Sequence, residues 1–368
     1  MMSIWSDSVT LPSFKELKKN ISTDVLIIGG GITGILCAYM LDQAGIDYTL
    51  VEASTICNGV TKNTTAKITS QHGLIYHKIM NRFDTKSARM YLEANEQALE
   101  RYRQLCRHID CAFETKDAFV YSLDDPEKIR LELDALKKIG FPAEYAATLE
   151  LPFSTAGAIK FSNQAQFHPL QFLAHIAEGL RIYEHTMVPG FSFRNYQDLL
   201  FVGGGDHRTG KRGGSWMELY KFAQKYYPNA KEVYRWSTQD CMTLDGLPYI
   251  GHYSLNTPHL YVATGFNKWG MTSAMVAATL LRDMMLGQEN PYAPVFSPSR
   301  TMLRPQLAVN AFEAATNLLT FSTKRCPHMG CVLKWNPHEH SWDCPCHGSR
   351  FTKEGKLIDN PAMHNLKI

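Results

Sequence analysis

Two short boxes near the C-terminal end carry donors with metal chemistry: Cys326-Pro-His328-Met-Gly-Cys331 and Cys344-Pro-Cys346-His347-Gly-Ser349. Each supplies one thiolate and one imidazole, Cys326 with His328 and Cys344 with His347. Two thiolates on one iron and two neutral imidazoles on the other make a mixed-ligand [2Fe–2S] centre. Such a centre is less negative than an all-cysteine cluster and accepts an electron more readily. A structural zinc ion takes the same donors. Two features favour the cluster. A tetrahedral zinc site does not need the extra cysteines Cys331 and Cys346. The run Gly348-Ser349 also sets a flexible turn and a hydroxyl donor beside the ligands, where bridging sulfurs use such donors. The first reading implies one-electron transfer, the second a purely structural metal.

At the other end, Asp24-Val-Leu-Ile-Ile28 reads as a buried parallel strand. Gly29-Gly30-Gly31-Ile32-Thr33-Gly34 follows at once, then a helix over Ile35–Gln43, then a strand Tyr48–Val51 that ends in Glu52. This is the strand–GxGxxG–helix–strand–acid order of a dinucleotide fold. Gly29 makes the tight turn, Gly31 admits the pyrophosphate to the backbone, and Gly34 lets helix and strand close up. The helix start offers N–H groups to phosphate, and Glu52 accepts from a ribose hydroxyl. The choice between FAD and NAD depends on residues downstream. Asp245-Gly-Leu-Pro precedes a strand at Leu260–Ala263, and Gly265-Phe266-Asn-Lys-Trp269-Gly270-Met271 opens a second helix. A second helix start aimed inward suits a reduced flavin, whose N1 and O2 carry negative charge.

The elements between must position these residues. Lys86–His108 and Pro126–Ile139 have helical spacing, with Phe113–Tyr121 as strand between them, and together they are expected to form a substrate lid or platform. Pro169–Leu180 reads as a helix, and Arg181–Glu184 as a strand returning to the nucleotide sheet. Pro305–Leu319 reads as one helix. His72 and His207 either face the site or are hydrogen-bonded core or surface groups. Trp216, Trp236 and Trp269 read as packing anchors, with Trp269 the candidate wall of a flavin site. His338 and His340 lack ligand spacing and read as a solvated loop. Asp206 and Glu184 lack a paired acid.

The chain has 368 residues, 45% of them hydrophobic, and a formal net charge of +3 with acids and bases interleaved. This suits two or three globular domains and argues against a nucleic-acid groove. The apolar run Ala274–Leu281 falls short of the roughly 20 residues needed to span a bilayer. The N-terminus has neither a basic stretch before an apolar one nor a twin arginine, so a cytoplasmic location is expected. The five cysteines outside the boxes, of nine in all, are scattered and read as reduced thiols.

Residues 322–361 resemble the cluster-binding part of Rieske proteins, on the two boxes just described. The glycine loop, the Gly265–Gly270 turn, Thr64-Thr-Ala-Lys-Ile-Thr-Ser-Gln-His-Gly73 and Gly203-Gly-Gly-Asp-His207 resemble FAD-dependent amine and amino-acid oxidoreductases, in particular the bacterial type fused to a Rieske domain. The resemblance implies FAD and a [2Fe–2S] cluster as cofactors. It implies an α/β Rossmann-like flavin domain with an antiparallel substrate domain over 1–300, with nucleotide-binding parts near 20–80, 160–186 and 240–290. A linker helix at 301–321 and a partial all-β Rieske module at 322–368 would follow. It implies ligands Cys326, His328, Cys344 and His347, and a Cys331–Cys346 disulfide clamp. It further implies that Gly29, Gly31, Ile32, Thr33, Gly34, Glu52, Asp245, Gly265, Phe266, Trp269, Gly270 and Met271 hold the flavin nucleotide. Thr64, Thr65, Ala66 and Lys67 would line its ring. Lys67 then either stabilises the reduced ring near N5 or N1, or is an ordinary loop lysine. The implied activity passes electrons between a small-molecule amine or amino-acid-like donor, the flavin, the cluster and an electron partner of unknown identity.

The sequence departs from that family in three places. Phe351 stands where high-potential members have a Tyr hydroxyl, so a lower potential is expected. After Glu184, His185-Thr-Met-Val-Pro-Gly-Phe-Ser runs almost directly into Arg194–Val202, where relatives have several dozen more residues. Before Cys326, Phe321-Ser-Thr follows the helix with none of the base strands of the Rieske fold. The chain therefore reads as internally shortened. A non-catalytic flavin- or metal-binding relative is the alternative, and a zinc-bearing flavoprotein another.

Overall fold

The protein is described here as a computed structural model, which covers residues 5, 8–151, 153–186, 209, 216–226, 228, 240–254, 256–300, 305–320, 322, 324–359, 361–362 and 364–366. The Gly203–His207 motif, the Arg194–Val202 run and Trp236 lie outside the described residues.

The chain alternates strands and helices from the start. β1 (Val25–Ile28) leads into α1 (Ile32–Gln43) and then β2 (Tyr48–Val51). β3 (Lys67–Ile68), α2 (Tyr76–Arg82) and α3 (Thr85–Cys106) follow, then β4 (Glu114–Ser122), α4 (Pro126–Ile139), β5 (Glu144–Ala146) and β6 (Gly157–Gln166). Next come α5 (Pro169–Ala177), β7 (Ile182–Tyr183), α6 (Trp216–Tyr226), β8 (Tyr249–His252), β9 (Tyr261–Thr264), α7 (Gly270–Met285) and α8 (Ala293–Phe296). The last part holds α9 (Pro305–Leu319) and the short strands β10 (Lys334–Asn336), β11 (Ser341–Asp343), β12 (Arg350–Thr352) and β13 (Leu357–Asp359).

Local chemistry sets the helix ends. Asp125 caps α4 by accepting from the N–H groups of Glu127 and Lys128, Pro126 occupies the first turn, and Gly140 closes the helix at φ 83. Asp84 caps α3 through Ser87 N–H. His168 does the same for α5 through Gln171 N–H.

The nucleotide sheet is parallel, in the order β1-β2-β7. The strand read at Arg181–Glu184 therefore does return to it, as β7. α1 covers one face and itself packs against α7. A second sheet, β3-β6-β4 with β5 also on β6, is antiparallel. α2, α3 and α4 back this sheet, so the middle of the chain is a platform built into the core. One apolar core joins both sheets, from Ile32 to Phe296.

β1 is open on one side. Parallel strands normally have both faces covered. Among the described residues β1 pairs only with β2, and Leu26 and Ile28 on its outer face are 53% and 51% exposed. Among the described residues β9 likewise pairs with β8 alone and does not join the nucleotide sheet.

The C-terminal part has a separate small core of Cys326, Cys331, Leu333, Cys344, Phe351, Ala362 and Leu366. It sits beside an antiparallel meander in the order β10-β11-β12-β13. The meander gives this part the all-β character expected of it, with its strands lying between and after the two boxes. Arg350 knits it together from inside, pairing with Asp343 at 3.3 Å and Asp359 at 3.2 Å. The end of α9 is docked on the module, where Arg325 donates to the carbonyls of Leu318 and Gly330, and Val332 N–H donates to Asn317 O. Among the described residues no helix is long and apolar enough to cross a membrane.

Candidate functional site

Gly29 leaves β1 at φ 107, a conformation that residues with a Cβ avoid. In the first turn of α1, a Cβ on Gly34 would lie 1.9 Å from Gly29 O, so only glycine lets strand and helix meet. Gly31 caps α1 with extended backbone, no side-chain cap and no acid in the first turn. The helix thus begins with its partial positive charge uncompensated by any carboxylate of its own, which suits a phosphate. Ile32 N–H donates to Thr61 Oγ1 at 3.0 Å, a partner that the motif did not announce. Thr33 lies in the same first turn. Glu52 is buried, and its two oxygens accept from Gly30 N–H and Ser54 N–H at 2.8 Å each. Further lone pairs remain for ribose hydroxyls.

A cleft of about 190 Å³ opens on the β3-β6-β4 sheet, with Lys67, Gln71, Lys116, Gln164, Gln166 and Trp269 among its walls. Lys67 stands opposite Gln166 in the strand register. The other cleft charges are paired, Lys116 with Glu114 at 2.9 Å and Asp117 with Lys160 at 3.1 Å. Lys67 has no carboxylate partner among the described residues. Its ammonium lies 5.8 Å from the Trp269 ring centre, and desolvation in the recess lowers its pKa. The approach to Lys67 is tightly turned. Ala66 has φ 56, its N–H donates to Thr64 Oγ1, and Thr64 O accepts from Trp5 Nε1 at 2.8 Å. Thr65 is exposed.

The second glycine turn delivers α7 to this cleft. Gly265 has φ 69, and a Cβ there would come within 2.3 Å of Thr243 Cγ2. Phe266 is half-buried and packs on the main core. Trp269 is the cap residue of α7, with no side-chain hydrogen bond to the helix start and no acid in the first turn. A Cβ on Gly270 would meet nothing within 4 Å, and Met271 O accepts from Tyr102 Oη. Asp245 is committed elsewhere. Its carboxylate takes Arg300 Nε at 2.6 Å and Nη2 at 2.9 Å, with Leu247 N–H at 3.1 Å. Burial raises its pKa, but the Arg300 contacts outweigh burial and the net shift is downward. Glu184, read as unpaired, is a buried acceptor for Ile56 N–H at 2.6 Å and Phe14 N–H at 2.8 Å.

His72 is buried, of the two readings open for it the hydrogen-bonded core one. Its Nδ1 lies 2.7 Å from Tyr91 Oη, its Nε2 2.8 Å from Thr69 O and 3.0 Å from Thr272 Oγ1. Desolvation lowers its pKa to about 3. Its ring stacks on Trp269 at 4.7 Å and 17°.

The two cluster boxes fold alike. In each the first cysteine N–H donates to the carbonyl five residues on, Cys326 to Cys331 and Cys344 to Ser349, at 2.8 Å. In each a left-handed glycine, Gly330 or Gly348, donates back to that first cysteine's carbonyl. The loops face one another. The Cys326 and Cys344 thiols interact, which raises the pKa of Cys326 and lowers that of Cys344. The rings of His328 and His347 lie 5.0 Å apart. Desolvation and then the neighbouring His328 lower the pKa of His347, which favours the neutral imidazole that a metal requires. Thiols sit with thiols and imidazoles with imidazoles, an arrangement that fits two sulfur ligands on one iron and two nitrogen ligands on the other. Both histidines are exposed, while Cys326 and Cys344 are buried. Cys331 and Cys346 are free thiols here, so the expected bridge is not formed. Their sulfurs lie within 4.8 Å of each other and of Cys344, a grouping that the sequence did not reveal. Ser349 Oγ accepts from Ala362 N–H at 2.9 Å and helps hold Cys326.

Comparison with known proteins identifies the families of both parts of the chain. Residues 24–197 and 186–284 match the family described as FAD dependent oxidoreductase, and residues 300–368 match the Rieske [2Fe-2S] domain, which decides the cluster against zinc. The chain is 32% identical to the Rieske 2Fe-2S iron-sulfur protein YhfW of Bacillus subtilis strain 168, over 99% of this chain and 96% of that one. That alignment runs over 490 positions against 368 residues, so at least 122 positions of the relative have no counterpart here. The two flavin-family segments overlap at residues 186–197, so the family match restarts just after Glu184. The cluster boxes are also similar to the cytochrome b6-f complex iron-sulfur subunit 3 of a Nostoc species, 46% identical over 43 residues, 12% of this chain and 24% of that one. In fold the chain resembles glycine oxidase from Geobacillus kaustophilus, with a TM-score of 0.58 at 18% identity, covering 76% of this chain and 99% of that one. The chain belongs to the FAD-dependent oxidoreductases and carries a C-terminal Rieske [2Fe–2S] domain.

Proposed function

We propose that this oxidoreductase takes two electrons from a small amine or amino-acid-like donor at the β3-β6-β4 cleft and sends them singly through the Cys326/His328/Cys344/His347 centre to a separate electron partner. When bound, FAD supplies hydride acceptance and the [2Fe–2S] cluster one-electron transfer. The chain's own residues set the conditions. The Gly29–Gly34 loop and the start of α1 hold the pyrophosphate, and Glu52 the ribose. The uncapped start of α7, with Gly270 and Met271, faces negative charge on the ring, and Trp269 and Lys67 wall the place where ring and donor meet. Asp245 acts indirectly, since its Arg300 pair braces the Leu247–Tyr249 turn below Gly265. Cys331 and Cys346 are near enough to form the clamp between the two cluster loops in an oxidised protein. The domain division at about residue 300 follows the two separate cores.

One observation carries this reading. A cleft holding a lysine with no carboxylate partner among the described residues, beside an open helix start, occurs in the same chain as a thiol pair and an imidazole pair on two facing loops. The test is anaerobic mixing of the FAD-loaded protein with a panel of amines and amino acids, followed by flavin absorbance and by EPR of the frozen mixture. The expected result is flavin bleaching by at least one donor, then a rhombic EPR signal. In Cys344→Ser the bleaching persists and the signal is lost. Bleaching with no cluster reduction in the parent protein refutes the proposed transfer.

A further inference from the structure

We propose that His72, as the neutral Nε2–H tautomer, is a positioning residue for the flavin site, fixing Trp269 and the first turn of α7 against the cleft. The tautomer follows from its partners. Thr69 O is an acceptor only, so the nitrogen 2.8 Å from it carries the hydrogen. Nδ1 is then the acceptor, and Tyr91 Oη donates to it at 2.7 Å. Thr272 Oγ1 donates to the same Thr69 carbonyl at 3.2 Å and lies 3.0 Å from Nε2. One imidazole thereby ties together the segment after β3, the helix α3 and the first turn of α7.

Its ring face does the rest. His72 stacks on Trp269 at 4.7 Å and 17°, and Trp269 is both the cap residue of α7 and the ring next to the Lys67 ammonium. Trp269 has no side-chain hydrogen bond to the helix start it caps, and the stack on His72 is a contact that orients its ring. A charged imidazole here would add a second cation beside Lys67, and burial with a fixed donor–acceptor pattern prevents this. His72 touches neither the donor nor the ring. It acts through Trp269, Lys67 and the α7 N–H groups, and it sets how strongly they favour the reduced flavin over the oxidised one.

The inference rests on the placement of the flavin ring proposed above. It is tested on the FAD-loaded full chain with two variants. His72→Phe keeps a stacking ring and loses both hydrogen bonds. His72→Gln keeps a donor and an acceptor at similar reach. Three quantities are read: FAD dissociation constant, flavin midpoint potential, and thermal midpoint. The first two give the ratio of reduced to oxidised FAD affinity. We expect this ratio to fall about tenfold in His72→Phe, a differential effect of about 1.4 kcal/mol on the two flavin states, and to return to within about threefold of the parent in His72→Gln. Imidazole ¹⁵N shifts of the parent at neutral pH should report the Nε2–H form. A ratio unchanged in His72→Phe while its thermal midpoint drops means a merely structural residue and overturns the inference, as does a Nδ1–H or charged imidazole. Parent protein that takes up no FAD overturns instead the flavin placement on which the inference stands.

Discussion

At the scale of single residues, environment assigns the roles. His72 and Lys67 are both bases by type and lie five positions apart, yet one is sealed in the core and the other faces a cleft. The lowered pKa of His72 has a consequence for stability. In the unfolded chain the imidazole takes a proton near pH 6.5, whereas in the fold it does so only near pH 3. The unfolded state therefore binds more protons between these values. The His72 contribution is complete above about pH 6.5 and is lost as pH falls toward 3, at about 1.4 kcal/mol per pH unit. Urea unfolding at pH 7 and pH 4.5 should show a smaller acid-induced loss for His72→Gln than for the parent. Equal losses would mean that the group titrates normally. Phe351 gives a second residue-scale prediction. It is fully buried in the cluster-side core. A hydroxyl added there by Phe351→Tyr should stabilise the reduced cluster and raise its potential by about 60 mV, the one-electron equivalent of one good hydrogen bond. Protein-film voltammetry measures this, and an unchanged potential would leave Phe351 without electronic influence.

At the scale of elements, helix starts and tight turns carry the site. Both the α1 and α7 starts lack acidic residues and side-chain caps, an omission that costs helix stability unless a ligand makes use of it. Gly270→Asp separates the two effects. An aspartate there finds open space and favours the helix by about 0.5 kcal/mol. It also sets negative charge where the reduced ring gathers its own. The thermal midpoint should rise or hold, while the flavin potential falls by about 20 mV, the two-electron equivalent of roughly 1 kcal/mol. A potential that holds would place the ring away from α7. Elements of this kind were legible in the sequence, because turn glycines, Pro at a first helical position and Asp caps act locally. α4 begins and ends where its Pro126, Asp125 and Gly140 say, and the Gly29–Gly34 spacing predicted a close strand–helix approach. Long-range partners left no such trace. Nothing near Asp245 announces Arg300, nothing near His72 announces Tyr91 or Thr272, and Cys344 as neighbour to both Cys331 and Cys346 emerges only when the two loops fold together.

At the scale of the whole molecule, two cores divide the chain, and at least 122 positions of YhfW have no counterpart in it. Among the described residues Leu26 and Ile28 are exposed and β9 pairs only with β8, outside the nucleotide sheet. The sequence exposed the gap because His185 runs so soon into the next strand-like segment. The all-β character expected of the Rieske side is met by the β10-β11-β12-β13 meander, although its three-residue strands are too short to show alternation in the sequence. Whether both cofactor sites work in one shortened chain is the central question, and a single measurement addresses it most directly. Protein purified and reconstituted without air is assayed for flavin, iron and acid-labile sulfide, then reduced stepwise while absorbance and EPR are recorded. The account predicts about one FAD, two irons and two sulfides per chain, with the flavin absorbance and the rhombic cluster signal changing together as electrons redistribute. Colourless protein, or protein that holds one group and never the other, would contradict it.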